Sequence, residues 1–151
     1  MYPKQHFFLG VIFALFLLII FPQIKLIGFF IIVLSNVLFD IDHYLYYVYK
    51  KKNFSLKDAY DWLDKEMIKC GSISKEQRNI SYACFPFLHG IEILIISFLL
   101  VFTSKYFLFI FVGLSFHLLL DIVYQTTYWD RMDKISVLYD FFKFKKLNYL
   151  G

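Results

Sequence analysis

The chain has four histidines, and each lies at or inside an apolar stretch: His6, His43, His89 and His117. Acidic residues accompany three of them, in the steps Asp40-x-Asp42-His43, His89-x-x-Glu92 and His117-x-x-x-Asp121. Positions three or four apart share one face of a helix, so His89 can point with Glu92 and His117 with Asp121. An ionisable group inside a membrane helix costs at least about 2.5–3.5 kcal/mol on insertion scales, so such groups pair within the bundle and mark function. Imidazole nitrogen and carboxylate oxygen together suit a borderline-soft divalent ion such as zinc, and this many donors could hold one ion or more. Helical His–acid pairs are also how carboxylate metal sites are built into bundle cores. His117, Asp121, His43 and Asp40 are the first-choice ligands, with His89 and His6 next. A carboxylate can instead hold the second nitrogen of a ligating histidine, so Asp42 and Glu92 are candidates for a general base or for that orienting role. Two other readings of the same residues stay open: a hydrogen-bond network that locks helices together, and a path for ions or protons.

The elements that must position these groups follow from composition. Of 151 residues, 60% are hydrophobic and 19% charged, whereas an ordinary soluble domain is about 45–50% apolar. Residues 7–21 run without a charge. Disorder, a collagen-like chain and a disulfide-stapled secreted scaffold are excluded. Four stretches, at about 5–22, 24–43, 85–103 and 106–124, approach the roughly 20 residues a helix needs to cross about 30 Å of hydrocarbon. The first is short by a turn, so it must draw on residues 2–5 or sit where the bilayer is thin. Lys4 ahead of an apolar run also fits a signal peptide, but no small-x-small cleavage pattern follows, and the segment is expected to be retained. Tight turns at Pro22-Gln23 and Ser104-Lys105 alternate with a long loop, 44–84, and a tail, 125–151. The expected fold is therefore all-α: a single polytopic membrane domain with four transmembrane helices as two antiparallel hairpins, plus amphipathic surface helices.

In that topology the N-terminus, loop and tail share one face, which receives 14 of the 16 Lys and Arg residues. The positive-inside bias makes that face cytoplasmic in a multi-pass protein of the cell membrane. His6 and His89 lie near the starts of odd-numbered spans and His43 and His117 near the ends of even-numbered ones, so all four gather at the same face. The net charge of +4 then reports orientation, and no nucleic-acid partner is expected; the partner is the lipid bilayer. Tyr44, Tyr46, Tyr47 and Tyr49 before Lys50-Lys51-Lys52, and Tyr128-Trp129 after the fourth span, read as interfacial aromatic belts. Ser55 with Asp58 reads as a capping box opening a helix with an apolar stripe, Leu56, Ala59, Leu63 and Met67, closed by Gly71. Met132, Ile135, Leu138 and Phe142 beside Lys134, Lys143, Lys145 and Lys146 read as a basic interfacial helix. Cys70 and Cys84 suit neither a disulfide on a cytoplasmic face nor a metal site by spacing.

Taken in order, His6 with Gly10, the Asp40-x-Asp42-His43 step, His89-Gly90, and Gly113-x-x-x-His117-x-x-x-Asp121 resemble the membrane-bound metal-dependent hydrolases related to the LexA-regulated inner-membrane protein family. That family is itself similar to the zinc-dependent phospholipase C and P1-type nuclease group. The resemblance covers most of the membrane portion and implies that His117 and Asp121 are metal ligands. Phe39 stands where the family often has Pro, and Glu92 falls near a position where it often has a further His. The implied activity is hydrolysis of a phosphoester by a water whose pKa a metal lowers to about 7. A site at headgroup depth would meet a phospholipid or another lipid-linked phosphoester. No Ser or Cys is placed as a covalent nucleophile, and no glycine-rich phosphate loop is present.

Overall fold

The computed structural model of the chain describes residues 1–128 and 132–149, so Trp129 of the expected belt lies outside the described residues. The chain is mostly helical: α1 (Pro3–Ile20), a 3₁₀ turn (Pro22–Ile24), α2 (Lys25–Leu38), α3 (Ile41–Lys51), α4 (Leu56–Ser72), α5 (Lys75–Asn79), α6 (Ile91–Val101), α7 (Lys105–Tyr128) and α8 (Val137–Phe144). Two short strands, β1 (Ser81–Tyr82) and β2 (Asn148–Tyr149), pair in parallel and tie the long connection to the C-terminal segment.

Among the described residues, three helical runs are long and apolar enough to cross a membrane: Pro3–Ile20, Pro22–Lys51 and Lys105–Tyr128. This is compatible with a membrane protein. The stretch expected to cross at 85–103 is helical over Ile91–Val101 alone, about 16 Å of rise, roughly half a bilayer core. Pro86 biases Phe85 away from helix, and Leu88 and His89 are held outside the helix by Asp42. The second run also differs from expectation, because its helix breaks at Phe39–Asp40 before α3 begins. Residues two apart point to different sides of a continuous helix. The break lets both Asp40 and Asp42 turn inward, where they are 9% and 0% exposed.

Packing is inverted relative to a soluble domain. Phe8, Ile12, Phe16 and Ile19 of α1, Leu26 and Phe30 of α2, and Leu99 of α6 are exposed, while the largest fully buried side chains include His6, His89, His117, Asn36, Asp42 and Asp121. An apolar exterior of this kind suits lipid tails as solvent. The apolar core, Ala14, Ile32 and Val33, sits between α1 and α2, with Phe109 and Val112 of α7 against it. Stacking of Phe13 on Phe116, with centroids 3.9 Å apart, extends the same contact.

The surface elements follow the sequence in outline and depart in detail. Ser55 Oγ accepts from the Asp58 amide at 3.2 Å and opens α4, but Asp58 turns its carboxylate to Asn53 rather than completing a box. Gly71 lies inside α4, which ends at Ser72. Tyr47 is buried against Trp62 rather than placed in a belt, whereas Tyr49 is exposed. In the tail, α8 contains Leu138 and Phe142, but Met132 and Ile135 precede it. Lys134 is buried too, and so does not belong to a solvated basic face.

Gly113 is the closest point of α7 on α2: a Cβ there would lie 2.6 Å from the Ile32 carbonyl oxygen. Gly113→Ala is therefore expected to destabilise the protein by about 1–3 kcal/mol, the usual cost of overpacking. Gly71→Ala, where nothing lies within 4 Å, should be neutral or stabilising by up to about 1 kcal/mol. Thermal unfolding of both variants in the same detergent checks the difference.

Candidate metal centre

Five elements carry polar groups to one buried point. The first turns of α1 supply His6, the α2–α3 junction supplies Asn36, Asp40, Asp42 and His43, and the segment before α6 supplies His89. Helix α7 supplies His117 and Asp121 one turn apart, and the tail supplies Lys134. His6, Asp40, His117 and Asp121 each offer a ligand atom within 4.8 Å of the others, and Asp40, His43 and His89 form a second such group. Asp40 is common to both. This buried His/Asp cluster could hold a metal ion.

The partners of each ring define which nitrogen is available. His117 Nδ1 lies 2.6 Å from the Asn36 carbonyl oxygen. A carbonyl can only accept, so Nδ1 carries the proton and donates, leaving the lone pair on Nε2. His89 Nδ1 donates to Asp42 Oδ2 at 2.8 Å, so its Nε2 carries a lone pair when the ring is neutral and a proton when the ring is charged. These two Nε2 atoms face each other at 2.9 Å. With both rings neutral the lone pairs would repel at that distance, and either a cation or a proton between them makes the contact attractive. Asp40 Oδ1 stands 3.4 Å from one and 3.7 Å from the other, and Asp121 Oδ2 is 3.6 Å from both.

Asp40 supplies the second sign of an ion site. Both of its carboxylate oxygens are buried without a hydrogen-bond partner among the described residues, as is His6 Nδ1. A buried charge left this way is costly unless paired or coordinated to a metal. The donor set, imidazole nitrogens and carboxylate oxygens around shared space, fits a divalent cation.

Asp42 plays a different part. Its Oδ1 accepts from His43 Nδ1, and its Oδ2 accepts from His89 Nδ1 and, at 2.9 Å, from the Leu88 amide. One carboxylate thus orients two imidazoles. Rings also stack for support: His6 lies on His117 with centroids 3.8 Å apart. Phe39 packs against both His89 and His117, at 4.9 and 5.2 Å.

Glu92 is not brought to the cluster. It accepts from Ser136 Oγ, from the Val137 amide at 3.0 Å and from the Leu138 amide at 3.3 Å, and so caps α8. The spacing from His89 loses its meaning because the helix starts at Ile91, after His89. Gly90 makes this junction possible, since a Cβ there would lie 2.8 Å from the Val137 nitrogen.

Three participants escape a sequence reading. Asn36 donates from Nδ2 to the His6 carbonyl oxygen at 2.6 Å, joining α2 to α1. Lys134 reaches Asp121 Oδ2 at 2.6 Å, and the Met1 ammonium reaches Asp121 Oδ1 at 2.9 Å. Burial alone would depress the Lys134 ammonium, but Asp121 and Asp40 outweigh it and hold its pKa above the ordinary lysine value. A polar residue at helical spacing from Asp40 was the available signal for Asn36; Lys134 gave none beyond sitting in a basic tail.

A cavity of about 310 Å³ opens beside the cluster, and Asp40, His43 and Lys134 line it together with residues of α4. No family model matches the chain, and no curated protein or solved structure does either.

Asp42→Asn keeps the shape but offers only one acceptor oxygen for two imidazoles. It should weaken divalent-metal binding about 10–100-fold, the range for loss of a ligand-orienting partner, while helix content is unchanged. Competition against a chelating dye, with circular dichroism on the same samples, checks both halves.

Proposed function

We propose that the protein is a membrane-embedded, metal-dependent hydrolase acting on a phosphoester carried by lipid, as the resemblance of its His and Asp steps implies. The observation that carries this reading is the pair of facing imidazole lone pairs beside the unpartnered Asp40 carboxylate, in the lining of a cavity. A divalent ion, zinc by the match to these donors, held by His89, His117, Asp40 and Asp121 with His6 and His43 adjacent, would supply Lewis-acid polarisation and an activated water.

The chain's own residues divide the remaining work. Asp42, fully buried with both oxygens engaged, is a positioning residue. His43 is 21% exposed in its side chain and lines the cavity. With Nδ1 tied to Asp42, its Nε2 is the nitrogen that can take a proton at the cavity wall, which makes it the general base in this reading. Lys134 holds Asp121 in place by its ammonium.

In the same reading α6 and the non-helical segment before it complete a fourth crossing, giving two hairpins. Irregular backbone is tolerated at membrane depth where it is buried in protein, and His89 and Gly90 are buried. The Lys and Arg distribution supports a cytoplasmic face for the N-terminus, long loop and tail. A proton-handling protein is the second reading, because a proton would also relieve the facing lone pairs.

Metal analysis of protein purified in mild detergent separates the two. Wild type should carry at least one equivalent of divalent metal, and Asp40→Asn less than a tenth of that. After chelation the order of stability should invert: Asp40→Asn unfolds at the same or a higher temperature than wild type, because an unpaired buried charge has been removed. A folded, monodisperse wild type with no metal would remove the hydrolase reading. Loaded protein should hydrolyse a lipid phosphodiester at least about 100-fold faster than Asp40→Asn, the scale expected for metal-supplied catalysis. For orientation, a cysteine placed at Lys146 should resist impermeant maleimide in intact cells; labelling there would reverse the assignment.

A further inference from the structure

We propose that the cavity beneath α4 binds the hydrocarbon chain of an amphiphile whose anionic head, a phosphoryl group, sits against the Lys134 ammonium. The inference deepens the hydrolase reading by naming a subsite for the apolar part of its substrate, and it concerns binding alone.

The lining of the cavity is mixed in chemistry. Ala59, Leu63 and Met67 recur at every fourth position, so they form one stripe along α4, and all three line the cavity with Tyr82 and Phe144. A surface helix normally seats such a stripe on a packed core. Here it faces about 310 Å³ of space, whereas interiors rarely leave voids much larger than a water molecule and ligand pockets begin near about 300 Å³. The outer side of the same helix carries the exposed Lys57, Asp61 and Lys69. Helix α4 therefore presents an apolar stripe to the cavity, with Asp64 and Glu66 beside it.

Asp40, His43 and Lys134 are among the polar residues that line the cavity, and Lys134 and Arg78 are its cationic side chains. Lys134 adopts a left-handed backbone, φ 69°, a costly conformation for a residue other than glycine that persists where surrounding contacts enforce it. Those contacts are the Lys134 amide on Asp140 Oδ2 at 2.6 Å and the Ile91 amide on the Ile135 carbonyl oxygen at 2.8 Å. They aim a cation into a chamber whose lining is mainly apolar but also includes Asp64, Glu66 and Arg78. An ammonium has three donors, and Asp121 Oδ2 takes one. An occupant with one anionic end and one hydrocarbon chain satisfies both parts, while a wholly polar phosphate or a neutral alcohol satisfies one each.

Alkyl phosphonates, which have no ester bond for a phosphoester hydrolase to cleave, test this in nanodisc-embedded protein by calorimetry. From methyl- to decylphosphonate, affinity for wild type should rise about three- to fourfold per methylene, the value for burying one CH₂, and level off once the chamber is full. Ala59→Trp, which fills the chamber, should flatten that rise while leaving methylphosphonate affinity and metal content unchanged; Met67→Trp serves if the first variant does not fold. Lys134→Met should cost at least tenfold for octylphosphonate and nothing for octanol. Equal slopes in wild type and a folded cavity-filling variant would place the chain in the bilayer and overturn the proposal, as would octanol binding as tightly as octylphosphonate. Because no turnover is read, a protein that binds phosphonates in this pattern yet hydrolyses nothing would count against the hydrolase reading alone.

Discussion

A carboxylate placed among apolar helices must find hydrogen bonds or a cation, because nothing around it replaces water. This chain places Asp40, Asp42 and Asp121 within one cluster, together with four imidazoles. Much of its local structure can be read as the supply of partners. Asp42 takes two ring nitrogens and the Leu88 amide; Asp121 takes Lys134 and the Met1 ammonium. The Asn36 side chain and carbonyl bind α1 and α7 to α2 at the same level.

The same constraint accounts for where helices stop. A continuous helix through residues 36–43 would turn Asp40 and Asp42 to different sides, and the break at Phe39–Asp40 avoids it. A helix starting at Pro86 would carry Leu88 and His89 away from Asp42. The tail turns through a left-handed Lys134 so that its ammonium reaches Asp121, while Ser136 and α8 are fastened by Glu92. The breaks at Phe39–Asp40, before α6 and at Lys134 lie next to the cluster, where protein groups rather than lipid surround the backbone.

That pattern also explains what the sequence could and could not disclose. The apolar runs of α1, of α2 with α3, and of α7 were legible because hydrocarbon thickness sets the length a crossing needs, and the structure does bring His6, His43, His89 and His117 together, although His89 precedes its helix instead of starting a span. The i, i+4 pairing of His117 with Asp121 needed only helical periodicity. Spacing failed at His89 and Glu92, because it presumes a helix that tertiary bonds to Asp42 prevent from starting there. It failed at Lys134 for a related reason: an isolated lysine among Lys143, Lys145 and Lys146 has no local mark of burial, which depends on a carboxylate thirteen residues away. Tyr47 was misplaced likewise, since α4 covers it, and nothing in a tyrosine run tells which ring a later helix will cover.

Whether the cluster is a lock between helices or a site for a cation turns on how its carboxylates are used. Glu92, a carboxylate with a purely structural task, accepts three hydrogen bonds, and Asp42 accepts three as well. Saturation is what a structural network requires, since each buried lone pair left bare subtracts from stability. Asp40 accepts none, although it lies among groups that could have been turned to donate. His89 and His117 direct their protonated nitrogens away from it, to Asp42 and to the Asn36 carbonyl, and turn their lone pairs toward it. Facing imidazole nitrogens beside a carboxylate without a hydrogen-bond partner are an arrangement that could hold a metal ion or a proton. Asp40 and His43 line the cavity, so an ion held there would lie within reach of an incoming molecule.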